Sequence, residues 1–553
     1  MELNRSPSKI NTFDGRPQAP ETWLRHAMLL FLNLAICFFA VSVTGCRSTE
    51  QSGKATVAID ADGKTTSRPK SEVRQASFRD RLKELPGSLK KLQPHHKEAA
   101  PHLGTIYSRS AQFHDGHRNP VIIIPGILGS KLTDSITGQV IWGRAGYGVT
   151  NPSRAEDARL LALPIKPTNR PLRLLTDNDV ADSILGDVDL NLFGFTIEVG
   201  AYRGILSTLG VGGYRDDTGG RATLDSISYG KDHYTCFEFH YDWRRENSES
   251  AARLNDFIKE KAEYVRRVRK ERFGVEGEPV KFDIVAHSMG GLVARYFLRY
   301  GNQQLPDDGS LPILNWAGAK DVETLILVGT PSTGSAEGLQ SLVDGIKYSP
   351  VLPKYPPAIL GTMPSIYQLL PRPRHAIVVN ENSGAPIDVY DWREWKRFRW
   401  GLLNPKEDVQ LKKILPNVES RSEREVIAVN QVKKALFRAK QFHQALDLRG
   451  APPAGTSINL IAGDAKDTIS KLTVNPQTGI IKIAAHAAGD GTVLRSSALS
   501  DERLDPRVDW SPRLASPIAW RQITFLFTDH LGLTSDPAFT DNVLFMLLEM
   551  PKN

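Results

Sequence analysis

The sequence predicts an α/β fold in which a mostly parallel, doubly wound sheet carries an inserted cap. The runs Val121–Ile124 and Val322–Val328 are apolar and β-branched without alternation, as expected of parallel strands buried on both faces. Strand-like runs alternate with helix-like segments along the chain, which is the order of a doubly wound sheet. The interval from Ser335 to about Ser457 breaks this alternation. It is too long for a connection, so it predicts a cap.

Composition permits a large globular body and gives a mild positive charge. The chain has 553 residues, of which 40% are hydrophobic and 24% charged, and its formal net charge is +8. A basic excess of this size suits an anionic membrane surface. The sequence contains no recognised nucleic-acid-binding module, so nucleic acid is not expected as a partner.

The amino terminus has the pattern of an export signal. Arg25 and His26 precede an apolar run, Ala27–Thr44, and small residues follow it. The run is also about as long as a transmembrane helix, so a retained membrane anchor is the competing interpretation. Val43 to Cys46 resembles the bacterial lipobox. We therefore predict a signal peptide over residues 1–45, lipid attachment at Cys46 and anchoring to a bacterial envelope membrane.

The remainder divides into a tether and a folded body. Residues 46–115 are polar and poor in aromatic residues, which predicts a flexible tether. We expect the first part of the α/β core at 116–335, with a lid segment at about 132–198, an inserted cap at 336–457 and the second part of the core at 458–553. Cys236 is the one cysteine left in the body and is expected to be a buried thiol. No cysteine or histidine cluster indicates a metal site, and no cofactor motif is present.

Ser288 is the predicted nucleophile. It stands in Ala286-His287-Ser288-Met289-Gly290, a form of G-x-S-x-G with alanine in the first small position. A strand-like run precedes the motif and a helix-spaced segment follows it, which is the context that the motif requires. The strained turn exposes the serine hydroxyl at the sheet edge and leaves the Met289 N–H at a helix start, where it can stabilise an oxyanion.

A second N–H donor is expected in the loop Pro125–Ser130. This loop follows an early buried strand and contains glycines that let its backbone approach a ligand closely. It does not match the phosphate-binding pattern G-x-x-x-x-G-K-[ST]. Beside a serine nucleophile, such a loop completes an oxyanion hole.

A serine nucleophile needs an imidazole base and a carboxylate that orients it. His530 lies in a loop after the last apolar strand and fits the chain order Ser, then acid, then His. His486 is an alternative base, although most candidate acids follow it. For the acid, Asp464 follows the strand at 458–462 and Asp490 lies in the turn Gly489–Val493. Spacing alone does not choose between them.

Two further groups have a structural and a functional interpretation. Asp242 and Arg244 are interpreted as a structural ion pair rather than as residues with a chemical role. The segment Trp392–Trp400 mixes aromatic and cationic residues. It is interpreted either as a contact with lipid headgroups or as helix packing with arginine and lysine stems lying over apolar surface.

Several of these motifs together resemble the lecithin:cholesterol acyltransferase family of α/β-hydrolases, which includes enzymes similar to lysosomal phospholipase A2 and to phospholipid:diacylglycerol acyltransferase. The resemblance rests on PGILGSKL at Pro125–Leu132, YDWR at Tyr241–Arg244, AHSMGG at Ala286–Gly291, MPSIYQLLP at Met363–Pro371, GDGTV at Gly489–Val493 and the late His530. It implies Asp490 as the acid and the N–H of Ile127 as the first oxyanion donor. The chain departs from the family at Ala286, in lacking cysteines for a lid disulfide and in its lipoprotein-like leader.

The sequence therefore predicts a serine-dependent lipid O-acyltransferase or phospholipase with Ser288, Asp490 and His530 as the catalytic residues and no cofactor or metal. Its expected partners are a lipid or phospholipid substrate and a membrane surface. A carboxylesterase or lipase for smaller esters is the nearest alternative. A non-catalytic envelope lipoprotein that serves as a scaffold is the alternative from another class. The sequence does not determine the acyl acceptor or the oligomeric state.

Overall fold

The structure is a computed structural model that describes residues 106–113, 116–143, 150–166, 171–174, 177–185, 190–192, 195–197, 200–216, 233–347 and 353–551. The predicted signal peptide, Cys46 and the predicted tether as far as residue 105 lie outside this range. The predicted lid segment is described in part.

The strands of the described residues are β1 Val121–Ile124, β2 Ser130–Asp134, β3 Val140–Trp142, β4 Asp179–Ile184, β5 Leu190–Leu192, β6 Phe195–Ile197, β7 Cys236–Glu238, β8 Phe282–His287, β9 Val322–Val328, β10 Ile346–Lys347, β11 Lys354–Tyr355, β12 Val378–Asn380, β13 Ser457–Gly463, β14 Lys466–Val474, β15 Ile481–Gly489 and β16 Gln522–Leu526.

The α-helices are α1 Ser108–Gln112, α2 Ala155–Leu161, α3 Gly200–Val211, α4 Asn247–Val268, α5 Gly290–Tyr300, α6 Ala336–Asp344, α7 Pro357–Leu360, α8 Pro364–Tyr367, α9 Trp392–Phe398, α10 Asp408–Ile414, α11 Arg421–Asp447, α12 Arg495–Leu499 and α13 Pro537–Leu544. A π-helical turn, Arg269–Phe273, extends α4, and another, Phe545–Glu549, extends α13.

A six-stranded sheet forms the centre of the fold, in the order β16-β13-β9-β8-β1-β7, and every neighbouring pair is parallel. All four residues of β1 are buried, as its unbroken β-branched run predicts. Because the strands are parallel, the carboxyl ends of β8, β13 and β16 reach one edge of the sheet. The predicted α/β-hydrolase fold is confirmed.

The segments inserted between core strands contain more regular structure than the sequence indicates. The several turn signals of the lid segment predict an irregular chain there, but β2 pairs antiparallel with both β3 and β4. The insertion between β9 and β13 contains α11, a helix of 27 residues. Arg438 of α11 donates hydrogen bonds of 2.8 and 2.7 Å to the two carboxylate oxygens of Glu246 beside α4. This buried ion pair joins the insertion to the core.

Two predicted boundaries differ in the structure. The tether was expected to reach residue 115, but α1 forms within it and the preceding Tyr107 is buried, with its hydroxyl donating to Asp541 Oδ1 at 2.7 Å. The sequence also predicts a hairpin at Lys471–Ala485 around the turn Asn475–Gly479, and this hairpin is longer in the structure, since β14 and β15 pair from Lys466 to Gly489. In both places tertiary contacts extend order beyond the range that local pattern marks.

Most aromatic residues of the segment Trp392–Trp400 belong to the core. Trp395, Phe398 and Trp400 are buried. The Trp395 indole N–H donates to a backbone carbonyl of the preceding turn at 2.8 Å, and that of Trp400 donates to the Gly479 carbonyl at 2.7 Å. The packing interpretation is therefore correct for these three side chains. Trp392 is only partly buried.

Candidate active site

Ser288 stands on a sharp turn between β8 and α5. Its φ angle is +51°, a left-handed conformation that costs a residue with a side chain about 1–2 kcal/mol. Gly290, the first residue of α5, lies so close to the loop after β1 that an added Cβ would be 2.3 Å from the Pro125 carbonyl oxygen. A Cβ on Gly126 would lie 2.8 Å from the Ser288 Cβ. A small residue is therefore required at Gly290, as the motif predicts, and also at Gly126, which faces the serine.

His530 follows β16 and faces Ser288 across the sheet edge. Its Nε2 lies 3.1 Å from Ser288 Oγ, and its Nδ1 lies 2.7 Å from Asp490 Oδ2. The backbone N–H of His530 also donates to the Asp490 carbonyl at 2.9 Å. With the Nδ1 proton on the carboxylate side, Nε2 is left to accept from the serine hydroxyl.

The Asp490 carboxylate is held from both sides. Its Oδ1 accepts hydrogen bonds from the N–H groups of Thr492 at 2.9 Å and Val493 at 2.6 Å, while Oδ2 faces His530. Only 1% of the residue is exposed. These backbone donors fix the carboxylate orientation without any second cation. The structure therefore brings together the three residues predicted from the sequence.

The alternative acids and base lie elsewhere. Asp464 forms a 2.7 Å ion pair with Arg495, and its backbone N–H bonds to the Leu526 carbonyl. His486 is exposed on β15, where it pairs with Ile469. Asp529 adjoins His530 in the sequence, but its Oδ1 accepts from the Gly532 N–H at 2.8 Å, so this side chain closes its own turn.

Two tyrosines hold the first half of the loop Pro125–Ser130. The Gly126 N–H donates to the Tyr202 hydroxyl oxygen at 2.9 Å. The Tyr241 hydroxyl donates to the Pro125 carbonyl at 2.9 Å. Because Gly126 also contacts Ser288, these bonds fix the loop against the nucleophile. The following N–H, that of Ile127, then belongs to a positioned segment of backbone.

Two tryptophans hold the second half of the same loop. Leu128 has a φ angle of +66°, and its carbonyl accepts from the Trp142 indole N–H at 2.8 Å. The Ser130 carbonyl accepts from the Trp243 indole N–H at 3.2 Å. The two indoles meet edge to face, with their ring centroids 5.5 Å apart. The strained loop is therefore held by donors from β3 and from the segment after β7.

Tyr202→Phe is expected to lower kcat by about 10- to 100-fold, with a smaller change in KM. The substitution keeps the ring but leaves the buried Gly126 N–H without its acceptor, and removal of a full oxyanion donor costs about 10²–10³-fold in kcat. Steady-state kinetics on a soluble ester measure the effect.

Tyr300→Phe is the matched control for this substitution, since it removes a buried hydroxyl that donates to the Ala445 carbonyl at the far end of α5. Equal losses of kcat in the two variants would contradict a role of Tyr202 in positioning the loop.

His287 is a buried neighbour of His530 that sequence reasoning did not assign to the site. The two imidazole centroids lie 5.0 Å apart, and His287 Nε2 lies 3.5 Å from the His530 carbonyl oxygen. Burial, and then the neighbouring imidazole, lower the pKa of His287 to about 3. His287 therefore stays neutral and adds no positive charge beside the base.

Glu337 is a second such residue. It lies in the first turn of α6, and burial, followed by the charge of Asp490, raises its pKa to about 8. Near neutral pH Glu337 is mostly protonated. No local sequence signal marks Glu337, because its environment is set by the turn at 490–493.

Asp242 and Arg244 form the predicted structural ion pair, and the structure adds partners. Arg244 is fully buried, and its Nη2 lies 2.8 Å from Asp242, 2.7 Å from Asp179 and 3.0 Å from Asp177. Its Nη1 donates to the carbonyls of residues 160 and 161. The cluster fastens β4 and the end of α2 to the loop after β7, and thus positions the lid segment.

Within the described part of the chain, no group of His, Cys, Asp and Glu side chains has the arrangement of a metal site. Over the same residues, no helix combines the length and apolarity needed to span a bilayer.

The sequence model of the family described as lecithin:cholesterol acyltransferase matches residues 222–436. The matched region contains Ser288 and the insertion that follows β9 as far as the middle of α11. The resemblance stated from the motifs is thereby confirmed. No curated protein sequence matches the chain.

The chain is also similar to solved structures. A Tle4–Tli4 complex matches with 16% identity, covers 78% of this chain and 98% of the other, and gives a TM-score of 0.47. The mature lipase BlEst2 of Bacillus licheniformis matches with 11% identity over 79% of this chain and 94% of its own, with a TM-score of 0.25. EstA of Clostridium botulinum matches with 11% identity over 80% and 89%, with a TM-score of 0.28.

Proposed function

We propose that this chain, whose middle region matches the lecithin:cholesterol acyltransferase family, is a serine-dependent lipid O-acyltransferase or phospholipase that works through an acyl-enzyme. The observation that carries the proposal is the hydrogen-bonded series Ser288, His530, Asp490, which joins residues 242 and 40 positions apart in the chain. A buried imidazole placed between a hydroxyl and a carboxylate is the arrangement that activates a serine.

In the first step, Ser288 Oγ attacks the ester carbonyl carbon of a lipid. His530 Nε2, at 3.1 Å, takes the hydroxyl proton as the new C–O bond forms. The N–H groups of Ile127 and Met289 donate to the oxygen on which negative charge develops. Met289 precedes the first residue of α5, where helix N–H groups have no intrahelical acceptor.

In the second step, the tetrahedral intermediate collapses and the bond to the leaving oxygen breaks. His530 returns the proton to that oxygen, and the acyl chain remains on Ser288. An acceptor alcohol or water then gives its proton to His530 as its oxygen attacks the acyl carbon. The bond from that carbon to Ser288 Oγ breaks, and His530 returns the proton to the serine. The Asp490 carboxylate stabilises the imidazolium in both half-reactions.

We also propose that the protein is exported and held at a bacterial envelope membrane by lipid on Cys46. The support is the lipobox-like order Val43 to Cys46 after the apolar run Ala27–Thr44. A retained transmembrane anchor over that run is the alternative. Either arrangement would bring the catalytic body to a lipid substrate.

The test is incubation of the full-length protein with a phospholipid labelled in its acyl chain, with and without a long-chain alcohol. An acyltransferase is expected to move label to the alcohol, and a phospholipase is expected to release labelled fatty acid. Release from short esters with no turnover of phospholipid would instead favour the carboxylesterase alternative. No turnover of any ester, and no labelling of Ser288 by a fluorophosphonate, would favour the scaffold.

A further inference from the structure

We propose that a surface groove between α9 and the second half of α11 binds anionic phospholipid headgroups and docks the catalytic body on a membrane surface. This role rests on the proposed function, because it assumes a lipid substrate. It adds a membrane-binding surface on the insertion. The groove lies outside the catalytic residues and has no part in the chemistry described above.

The groove has a volume of about 570 Å³ and is lined by two short stretches of chain. Residues 388–393 form one wall. Lys433, Leu436, Phe437 and Lys440 form the other, at positions i, i+3, i+4 and i+7 of one helix face. Leu436 is buried, whereas Lys433 and Lys440 are exposed and Phe437 is 48% exposed. One helix face thus presents an exposed aromatic ring between two ammonium groups.

Positive charge prevails in the lining. It contains four cations, Arg393, Lys433, Lys434 and Lys440, and two carboxylates, Asp388 and Asp391. Each carboxylate accepts a hydrogen bond of 2.9 Å from a backbone N–H two residues later, so both are engaged by their own turns. An anion entering the groove therefore meets a net positive field.

Trp392 determines which headgroup charge the groove accepts. The Lys433 ammonium lies 3.9 Å from the centre of the Trp392 ring, and the Arg393 guanidinium lies 5.6 Å from it. Cations thus already occupy the indole surface that would otherwise attract a choline group. The exposed Lys433 ammonium can meet a phosphate, whereas the Arg393 guanidinium already lies 3.4 Å from the Asp391 carboxylate. The arrangement favours anionic over zwitterionic headgroups.

The groove is fixed to the core. The Tyr390 hydroxyl, on its inner wall, hydrogen-bonds His443 Nδ1 at 2.5 Å, and His443 Nε2 bonds the Gln368 carbonyl at 2.7 Å. Trp395, one turn after Trp392, is fully buried. Partly exposed aromatic rings beside lysine, on rigid helices, are typical of surfaces that rest at a lipid–water interface.

Amide hydrogen exchange of the full-length protein reconstituted in vesicles tests the proposal. Exchange in residues 388–396 and 430–441 is expected to slow in phosphatidylcholine mixed with phosphatidylglycerol, relative to phosphatidylcholine alone. Lys433→Glu combined with Lys440→Glu should lower the docking constant read from this protection on the order of 25-fold or more, because each basic side chain near an anionic bilayer contributes about fivefold.

The matched control is Lys259→Glu with Lys270→Glu, which makes the same charge change on α4 and its extension and should leave the protection intact. Any of three results would overturn the proposal. The protection could be equal in both vesicle types, it could survive in the Lys433/Lys440 variant, or inorganic phosphate alone could produce it. Labelling of Ser288 by a fluorophosphonate in the same samples separates the two failures. Labelling without protection contradicts the docking surface alone, and protection without labelling contradicts the proposed function and leaves headgroup binding standing.

Discussion

Ser288→Ala is expected to lower turnover of lipid esters by a factor on the order of 10⁴ or more while the protein stays folded. The substitution removes the atom that forms the acyl bond and adds no bulk to a turn that admits only small neighbours. The Ser288 hydroxyl lies 3.1 Å from His530 Nε2, and the residue as a whole is 9% exposed. Removing the hydroxyl therefore leaves few polar atoms without a hydrogen-bond partner. Initial rates with a labelled phospholipid measure the effect.

His530→Ala provides the comparison for this variant. It removes the base and leaves the nucleophile, and we expect a loss of similar size because the two residues act as a unit. The thermal unfolding midpoints of both variants should lie near that of the parent protein. Turnover that persists in Ser288→Ala would contradict the assignment of the nucleophile.

Asp490→Asn is expected to lower kcat by about 10³- to 10⁴-fold. The carboxylate at 2.7 Å accepts the His530 Nδ1 proton and so leaves Nε2 free to act as base. An asparagine amide can donate to Nδ1 instead, which stabilises the tautomer whose Nε2 already carries a proton. The size of the loss follows from that change of tautomer. The loss should appear in kcat for every ester tested.

Asp464→Asn is the matched control, since it makes the same chemical change in the other acid considered from the sequence. Asp464 pairs with a partly exposed Arg495, and an exposed pair of this kind contributes about 0–1 kcal/mol to stability. We expect activity within a few-fold of the parent protein. The opposite ranking of the two variants would contradict Asp490 as the acid.

Ser288 was predictable from the sequence because its constraints are local. A buried strand, a turn with small residues and a helix stand next to one another in the chain. His530 was predictable from its place after the last apolar strand. The choice of Asp490 over Asp464 needed the family resemblance. Which carboxylate faces the imidazole depends on where the long hairpin of β14 and β15 returns the chain, and residue spacing does not carry that information.

Other parts of the site are formed by contacts that local pattern does not encode. Tyr202 and Trp142 reach the loop at Pro125–Ser130 from later elements, across 76 and 14 positions of the chain. Each is an ordinary buried aromatic residue when judged by its neighbours. The groove on the insertion likewise joins residue 392 to residues 433–440. Sequence reasoning marked the first of these stretches as aromatic and cationic, but the second became relevant through the packing of α9 on α11.

The acyl-enzyme itself gives the most direct test of the central claim. The protein is mixed with a labelled phospholipid, quenched in acid during the first turnovers and digested. The mass of the peptide that contains Ser288 is then measured by mass spectrometry. We predict an added mass equal to one acyl chain on that peptide, absent in Ser288→Ala and depleted when an acceptor alcohol is supplied. Lipid turnover with no acyl adduct on Ser288 at any quench time, or an adduct that forms equally in Ser288→Ala, would contradict the mechanism.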